Sequence, residues 1–342
     1  MSKQQGSLGR YFVIRLGLAI PMIFILLSLV FLMMRVIPGD PISASSGGAK
    51  MSQEQIDELR QQAGLDKPLL VQYWDYISSV LRFDFGTTTS DHREITDIIV
   101  DNGGATLTLA IAALIIAVIV GLPIGLLAGR YRESVLDVIA RLFGTLTYAA
   151  PVFVTGLLVQ LYLAEPLGLP KSGQASPFIQ INIETQTHIM IVDAMLAGDM
   201  EAVTDIFQHL ILPASTLALV IVGVFIRMVR VNVIQTLKGD YIEAARARGV
   251  GERAVVVRHA FRNALVPVIT VLGMQIALLL GGSVLTEKTF NWPGIGLQLI
   301  NYLNGRDYIA VQGIVTFIAL MVVVISMLID FVNALIDPRV RY

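Results

Sequence analysis

Six long apolar runs, at residues 16–34, 106–129, 142–164, 210–226, 264–286 and 309–329, alternate with polar, charge-bearing stretches along this chain. Each is near the roughly 20 residues an α-helix needs to cross a bilayer core. The pattern predicts an all-α integral membrane protein with six transmembrane helices. The first run follows Lys3, Arg10 and Arg15, as a signal peptide would, but its 19 residues exceed the usual apolar region of one. No A-x-A cleavage pattern occurs in Arg35-Val-Ile-Pro-Gly-Asp-Pro41, so the run is read as a retained helix.

Composition supports the pattern. With 55% hydrophobic residues, 15% charged residues and a mean hydropathy of +0.70, the chain carries too much apolar surface for a soluble domain of its length. A net charge of −1 speaks against a nucleic-acid partner. Cysteine is absent, which excludes disulfides, thiolate nucleophiles and cysteine metal sites. The N-terminus, residues 130–141, residues 227–262 and the C-terminal tail hold 16 of the 25 basic residues but 7 of the 26 acidic ones. The positive-inside rule makes those segments, and both termini, cytoplasmic. The opposite loops, about 35–105, 165–209 and 287–308, are acidic and outside.

The outer loops have structure of their own. Ser52-Gln-Glu-Gln55 is a capping box that opens a helix ending near Gly64. A second helix is predicted from Pro68, at its first turn, to about Arg82. This extracytoplasmic helical insertion is either a cap over helix ends or a surface for an external partner.

An ion-coupled carrier needs ionisable groups at membrane depth, which cost at least about 2.5 kcal/mol each at the bilayer centre. None lies there: Arg35, Glu165, Glu287 and Asp330 sit at run ends, where they are read as interfacial anchors, as is His209. An ion-coupled secondary carrier working without an ATPase is therefore the alternative reading, kept open because backbone carbonyls at broken helices also bind ions. No Gly-Lys dipeptide supplies a P-loop, and there is no H-E-x-x-H or G-x-S-x-G. The four histidines are scattered, so no metal or catalytic site is expected and the chain is not read as an enzyme.

Between the fourth and fifth runs, Asp240 and Glu243 form an N-cap and third-position pair that starts a helix through Ala244, Ala245 and Ala247. Gly249 stops it, with Gly251 as an alternative. Tyr241, Ala244, Ala245 and Arg248 then share one narrow face with small residues at its centre, suited to a partner's groove. Glu243 pairs with Arg246 or caps its own helix. Residues 252–263, with Arg253, Arg258 and Arg262 beside Val255, Val256 and His259, suit a helix at the inner membrane surface, against either lipid or protein.

The Glu243-Ala-Ala-Arg-Ala-Arg-Gly249 string resembles the E-A-A-x-x-x-G coupling loop of ABC-importer permeases. The chain is similar to the peptide/nickel branch of that family along nearly its whole length. The points of likeness are Ile37-Pro-Gly-Asp-Pro41, Gly64-Leu-Asp-Lys-Pro-Leu69, Asp84-Phe-Gly-Thr87 and His209-Leu-Ile-Leu-Pro213, then Arg258-His-Ala-Phe-Arg-Asn-Ala-Leu265 with Pro267. Phe290-Asn-Trp-Pro-Gly-Ile-Gly296, Arg306-Asp-Tyr308 and Asp337-Pro-Arg-Val-Arg341 complete the series. The delay of the proline to Pro267 matches peptide-type systems. Asn102-Gly-Gly104 departs from the bulkier Leu-Pro entry common in the branch, and residues 171–208 are longer than in short members.

The resemblance implies a core permease of residues 105–342, with its coupling loop at 227–263, behind an N-terminal tail and first helix (1–35) and an extracytoplasmic loop domain (36–104). It implies a homologous second permease, two ATP-binding subunits and an extracytoplasmic substrate-binding protein as partners, in a bacterial or archaeal plasma (inner) membrane. ATP and magnesium are used by the partner subunits, and no cofactor is expected on this chain. Asp240, Tyr241, Glu243, Ala244, Ala245, Arg248 and Gly249 would contact the ATPases. Thr147, Tyr148, Gln275 and Ser283 are candidates for the translocation path. Trp292, Pro293 and Gly294 are either an interfacial aromatic with a tight turn or an outer gate. Gly281-Gly282 is read as a close-packing site.

Overall fold

A computed structural model describes residues 8–36, 52–62 and 64–336. Among these residues the regular secondary structure is helical, apart from one isolated antiparallel bridge between Thr87 and Glu94. The strings at 37–41 and 337–341 lie outside the described residues.

Helix α1 (Leu8–Val36) leads to α2 (Gln53–Gln62) and α3 (Leu69–Leu81). The Ser52 hydroxyl accepts the Gln55 amide at 3.3 Å and the Gln55 side chain accepts the Ser52 amide at 3.0 Å, so the capping box forms as read. Pro68 stands one place before α3, as its N-cap, rather than inside its first turn. Hydrogen bonds from Tyr76 to Thr316 (2.7 Å), Tyr73 to Ser28 (2.6 Å) and Arg35 to Gln72 (2.8 Å) hold α3 against the bundle. A polar cavity of about 570 Å³, lined in part by Arg35, Lys67, Asp75, Asp84 and Gln312, lies beside it.

Helices α4 (Ile95–Arg130), α5 (Val135–Ala149) and α6 (Val152–Tyr162) follow. The third predicted run is not one straight helix: α5 and α6 meet at 106°. Pro151 is the cause, because its ring excludes the helical region for the residue before it, and Ala150 sits at φ −74°, ψ 129°. The long segment that comes next forms α7 (Pro177–Asn182) and α8 (Met190–Leu196), which close over Ala202 and Ile206 at the start of α9 (Met200–Leu237).

Helices α4 and α9 begin at Ile95 and Met200, well before the apolar runs at 106 and 210, because their first turns are buried too, α4 against Ile295, Tyr302 and Val311 and α9 against Ala175 and Ala194. Their mutual contact is the most extensive in the molecule and forms the main core. Gly121, Gly125 and Gly129 recur at every fourth position of α4, and a Cβ on them would fall 2.7, 2.7 and 2.9 Å from the Cβ atoms of Phe225, Val229 and Val233. The stripe lets α9 approach the α4 backbone directly, which is how dispersion drives helix association in lipid. Gly281 and Gly282 do not do this within the chain: among the described residues a Cβ on either meets nothing within 4 Å.

After α9 come α10 (Asp240–Ala247), the single turn α11 (Glu252–Ala254), a π-helical segment Val255–Phe261 and α12 (Arg262–Gly282). The fifth predicted run is divided, since α13 (Val284–Phe290) begins after Ser283. Helices α14 (Ile295–Asn304) and α15 (Tyr308–Ile336) complete the chain. Among the described residues four helices are long and apolar enough to cross a membrane, in α1, α4, α9 and α15, with a fifth if α5 and α6 count as one.

Candidate coupling and gating sites

Helix α10 is capped one residue earlier than the sequence suggests. Gly239 is the N-cap, so Asp240 is the first helical residue and places its charge in the first turn beside Glu243, favourable to the helix dipole. Tyr241 folds back over Gly239, where a Cβ would come within 2.7 Å of its ring. At the other end Gly249 adopts φ +76°, its amide bonds Arg246 O at 2.9 Å and Val250 N bonds Ala245 O at 3.2 Å. That is a Schellman ending, completed by Val250 packing near Ala245.

The predicted four-residue face is split by burial. Ile242 and Ala245 are buried against Val255 and Ala260, while Asp240, Tyr241, Glu243, Ala244 and Arg248 are exposed. Ala245 therefore anchors α10 to its own chain. Arg246 pairs with Glu252 at 2.8 and 3.1 Å rather than with Glu243. This bond raises the pKa of the Arg246 guanidinium and lowers that of the Glu252 carboxyl. Arg253, Arg258 and Arg262 are exposed on a segment that runs straight into α12 instead of forming a separate surface helix.

A second polar centre sits at the same end of the bundle and went unread in the sequence. Asp137 is fully buried at the head of α5, ahead of the apolar stretch that begins at Leu142. Its carboxylate accepts both Nε and Nη2 of Arg230, the latter at 2.9 Å, and the Glu133 amide at 2.9 Å; Arg141 lies 3.7 Å away. The signal was Ser134, three residues before Asp137, which caps α5 by accepting the Asp137 amide at 3.3 Å.

At the opposite end, α13 and α14 form a hairpin through Asn291, Trp292, Pro293 and Gly294. Glu287, read from sequence as an interfacial anchor, is instead fully buried. One oxygen accepts the Thr106 and Ser283 hydroxyls, each at 2.9 Å, and the other accepts the Leu297 amide at 2.9 Å. The Thr106 hydroxyl also accepts the Ile295 amide at 2.9 Å. Helix α14 has a glycine N-cap, so Glu287 and Thr106 supply from elsewhere the acceptors that its first turn lacks. A Cβ on Gly294 would collide with the Glu287 carboxyl and the Thr106 hydroxyl, and one on Gly296 would lie 2.9 Å from Glu287 Oε2. The two glycines make the room that the buried carboxylate occupies. Trp292 is also fully buried and donates Nε1–H to Ala105 O at 2.9 Å, so it is a core residue and not an interfacial aromatic.

The family model described as binding-protein-dependent transport system inner membrane component matches residues 121–342, and a companion model for the N-terminal part of such components matches residues 8–110. The chain belongs to this permease family. It is 36% identical over 330 residues to the dipeptide transport system permease protein of Escherichia coli K12, covering 96% of this chain and 97% of that one. A di/tripeptide transport system permease protein of Pseudomonas aeruginosa UCBPP-PA14 is 36% identical over 329 residues, covering 96% and 97%. The glutathione transport system permease protein of Escherichia coli K12 is 34% identical over 333 residues, covering 97% and 99%.

In this permease the four residues read as path candidates are dispersed. Thr147 donates to Phe143 O at 3.0 Å within α5, Tyr148 is exposed, Gln275 is buried on α12 and Ser283 is engaged by Glu287. None of them lines the apolar cavity of about 310 Å³ between α4, α12 and α15, whose wall includes Thr106, Leu107, Ile276, Leu279, Ile295 and Phe317. His209 is buried and bonds Asp205 O of its own helix at 2.8 Å, a structural role. Arg35 packs on Phe31 with its charge toward Gln72, and Asp330 pairs with Arg15 at 2.8 Å. Among the described residues no group of three or more His, Asp or Glu side chains is placed to hold a metal ion.

Proposed function

We propose that this permease is the transmembrane subunit of an ATP-driven ABC importer of the di- or oligopeptide class, passing substrate from an extracytoplasmic binding protein to the cytoplasm by alternating access. The observation that carries the reading is likeness over almost the full length to permeases of dipeptide, di/tripeptide and glutathione systems. The exposed face of α10 supports it. On this reading Asp240, Tyr241, Glu243, Ala244 and Arg248 meet the ATP-binding subunits, Ala245 fixes the helix from behind and Gly249 ends it.

The chain then crosses the membrane six times, with the α5–α6 pair and α12 as the third and fifth crossings. Both termini and α10 are cytoplasmic, and residues 36–104 face outside as a helical insertion on the core of 105–342. A second homologous permease, two ATP-binding subunits, the substrate-binding protein and membrane lipid are its partners, with ATP and magnesium bound by the ATP-binding subunits. Tyr148, Thr147 and Gln275 contribute to the path, while Ser283 serves the hairpin.

The test is uptake of a labelled dipeptide by the assembled transporter in proteoliposomes. Glu243→Arg is expected to lower ATP-driven uptake and substrate-stimulated ATPase at least tenfold while peptide binding to the receptor persists. Uptake driven by an ion gradient without ATP, unaffected by that substitution, sinks the reading in favour of a carrier.

A further inference from the structure

Resting on the permease reading, we propose that Thr106 is the detachable latch of the outer gate and that the α13–α14 hairpin is the leaf it releases. The hairpin is closed on itself. Ser283 Oγ and Leu297 N donate to the Glu287 carboxylate, and Trp292 N donates to Glu287 O at 2.8 Å, all within residues 283–297. Those bonds travel with the leaf.

A different set ties the leaf to α4: Thr106 with Glu287 and Ile295, Trp292 Nε1–H with Ala105 O, and Gln298 Nε2–H with Asn102 Oδ1 at 3.1 Å. Positions 102, 105 and 106 share one face of α4, so the ties form a single seam. Thr106 is the member that both donates and accepts across it, and one hydroxyl therefore closes two bonds. When the seam parts, Glu287 keeps Ser283 and Leu297. Its charge is not stranded, which keeps the cost of opening to the ties themselves. The apolar cavity of about 310 Å³ lies against the seam, with Thr106 and Ile295 in its wall, so parting connects it to the outside.

The chain has no cysteine, so one introduced thiol reports the seam. Ala105→Cys places it beneath Trp292, in the full transporter with both permeases, ATP-binding subunits and receptor in proteoliposomes. Thr106→Val keeps the side-chain shape and removes donor and acceptor. It is expected to raise labelling of A105C by an externally added impermeant maleimide about tenfold without ATP, with a matching rise in receptor-independent ATPase. Thr106→Ser, which keeps both bonds, returns both readouts to the parent values. Trp292→Phe, with one tie lost, gives a smaller rise of about threefold. Equal labelling with Thr, Val and Ser at 106, in a transporter that still imports with ATP, overturns the latch and leaves the permease reading intact. If T106V does not assemble, unchanged labelling in W292F overturns it instead. Failure of the unsubstituted transporter to import with ATP removes both readings together.

Discussion

Glu287 at one end of the bundle is held by two hydroxyls and an amide, whereas Asp137 at the other is held by the fork of Arg230. Both carboxylates are fully buried. A buried carboxyl held by neutral groups is stabilised by hydrogen bonds alone and loses them one at a time. A buried ion pair is all or nothing, because removing either partner leaves an uncompensated charge. The hairpin end is thus built for stepwise release, and the opposite end, where α5 meets α9, for permanence.

Glu287→Ala should be the more damaging truncation, since it strips α14 of its cap, leaves three donors unpaired and opens a cavity; about 4 kcal/mol is expected. Thermal unfolding of the purified permease in detergent measures it. Asp137→Ala should cost about 3 kcal/mol by the same assay, with most of it recovered in Asp137→Ala/Arg230→Met, because the second change removes the stranded guanidinium. No second substitution at Ser283 should rescue E287A in that way.

Neutralisation without truncation gives the smallest effects and reverses the order: Asp137→Asn about 2 kcal/mol, Glu287→Gln about 1 kcal/mol.

What the sequence discloses here is local. The Ser52–Gln55 capping box and the Gly249 stop of α10 rest on neighbours within a few residues, and each forms, while Pro68 falls one place outside the helix it opens. The third run failed as a straight helix although Pro151 was in plain view; uniform hydropathy outweighed it. The glycine stripe of α4 was equally visible but acquires meaning only opposite Phe225, Val229 and Val233. Glu287 was misplaced because its decisive partner, Thr106, is 181 residues away, and Asp137 was missed because Arg230 is 93 residues away. Ala245 shares a side of α10 with Tyr241, Ala244 and Arg248 in a helical projection, and only the packing of the following π-helical segment shows that it points inward.

The paired α4 and α9 also set a length. Their 36 and 38 residues, at about 1.5 Å each, make rods of roughly 54 and 57 Å, against a hydrocarbon layer of about 30 Å. Joined backbone to side chain along the glycine stripe, they act as a fixed yardstick that overhangs the bilayer. The seam at one end and α10 at the other are held at or beyond the edges of the oil, so the spacing between them belongs to the protein and not to the lipid, and thinner or thicker membranes should leave it unchanged.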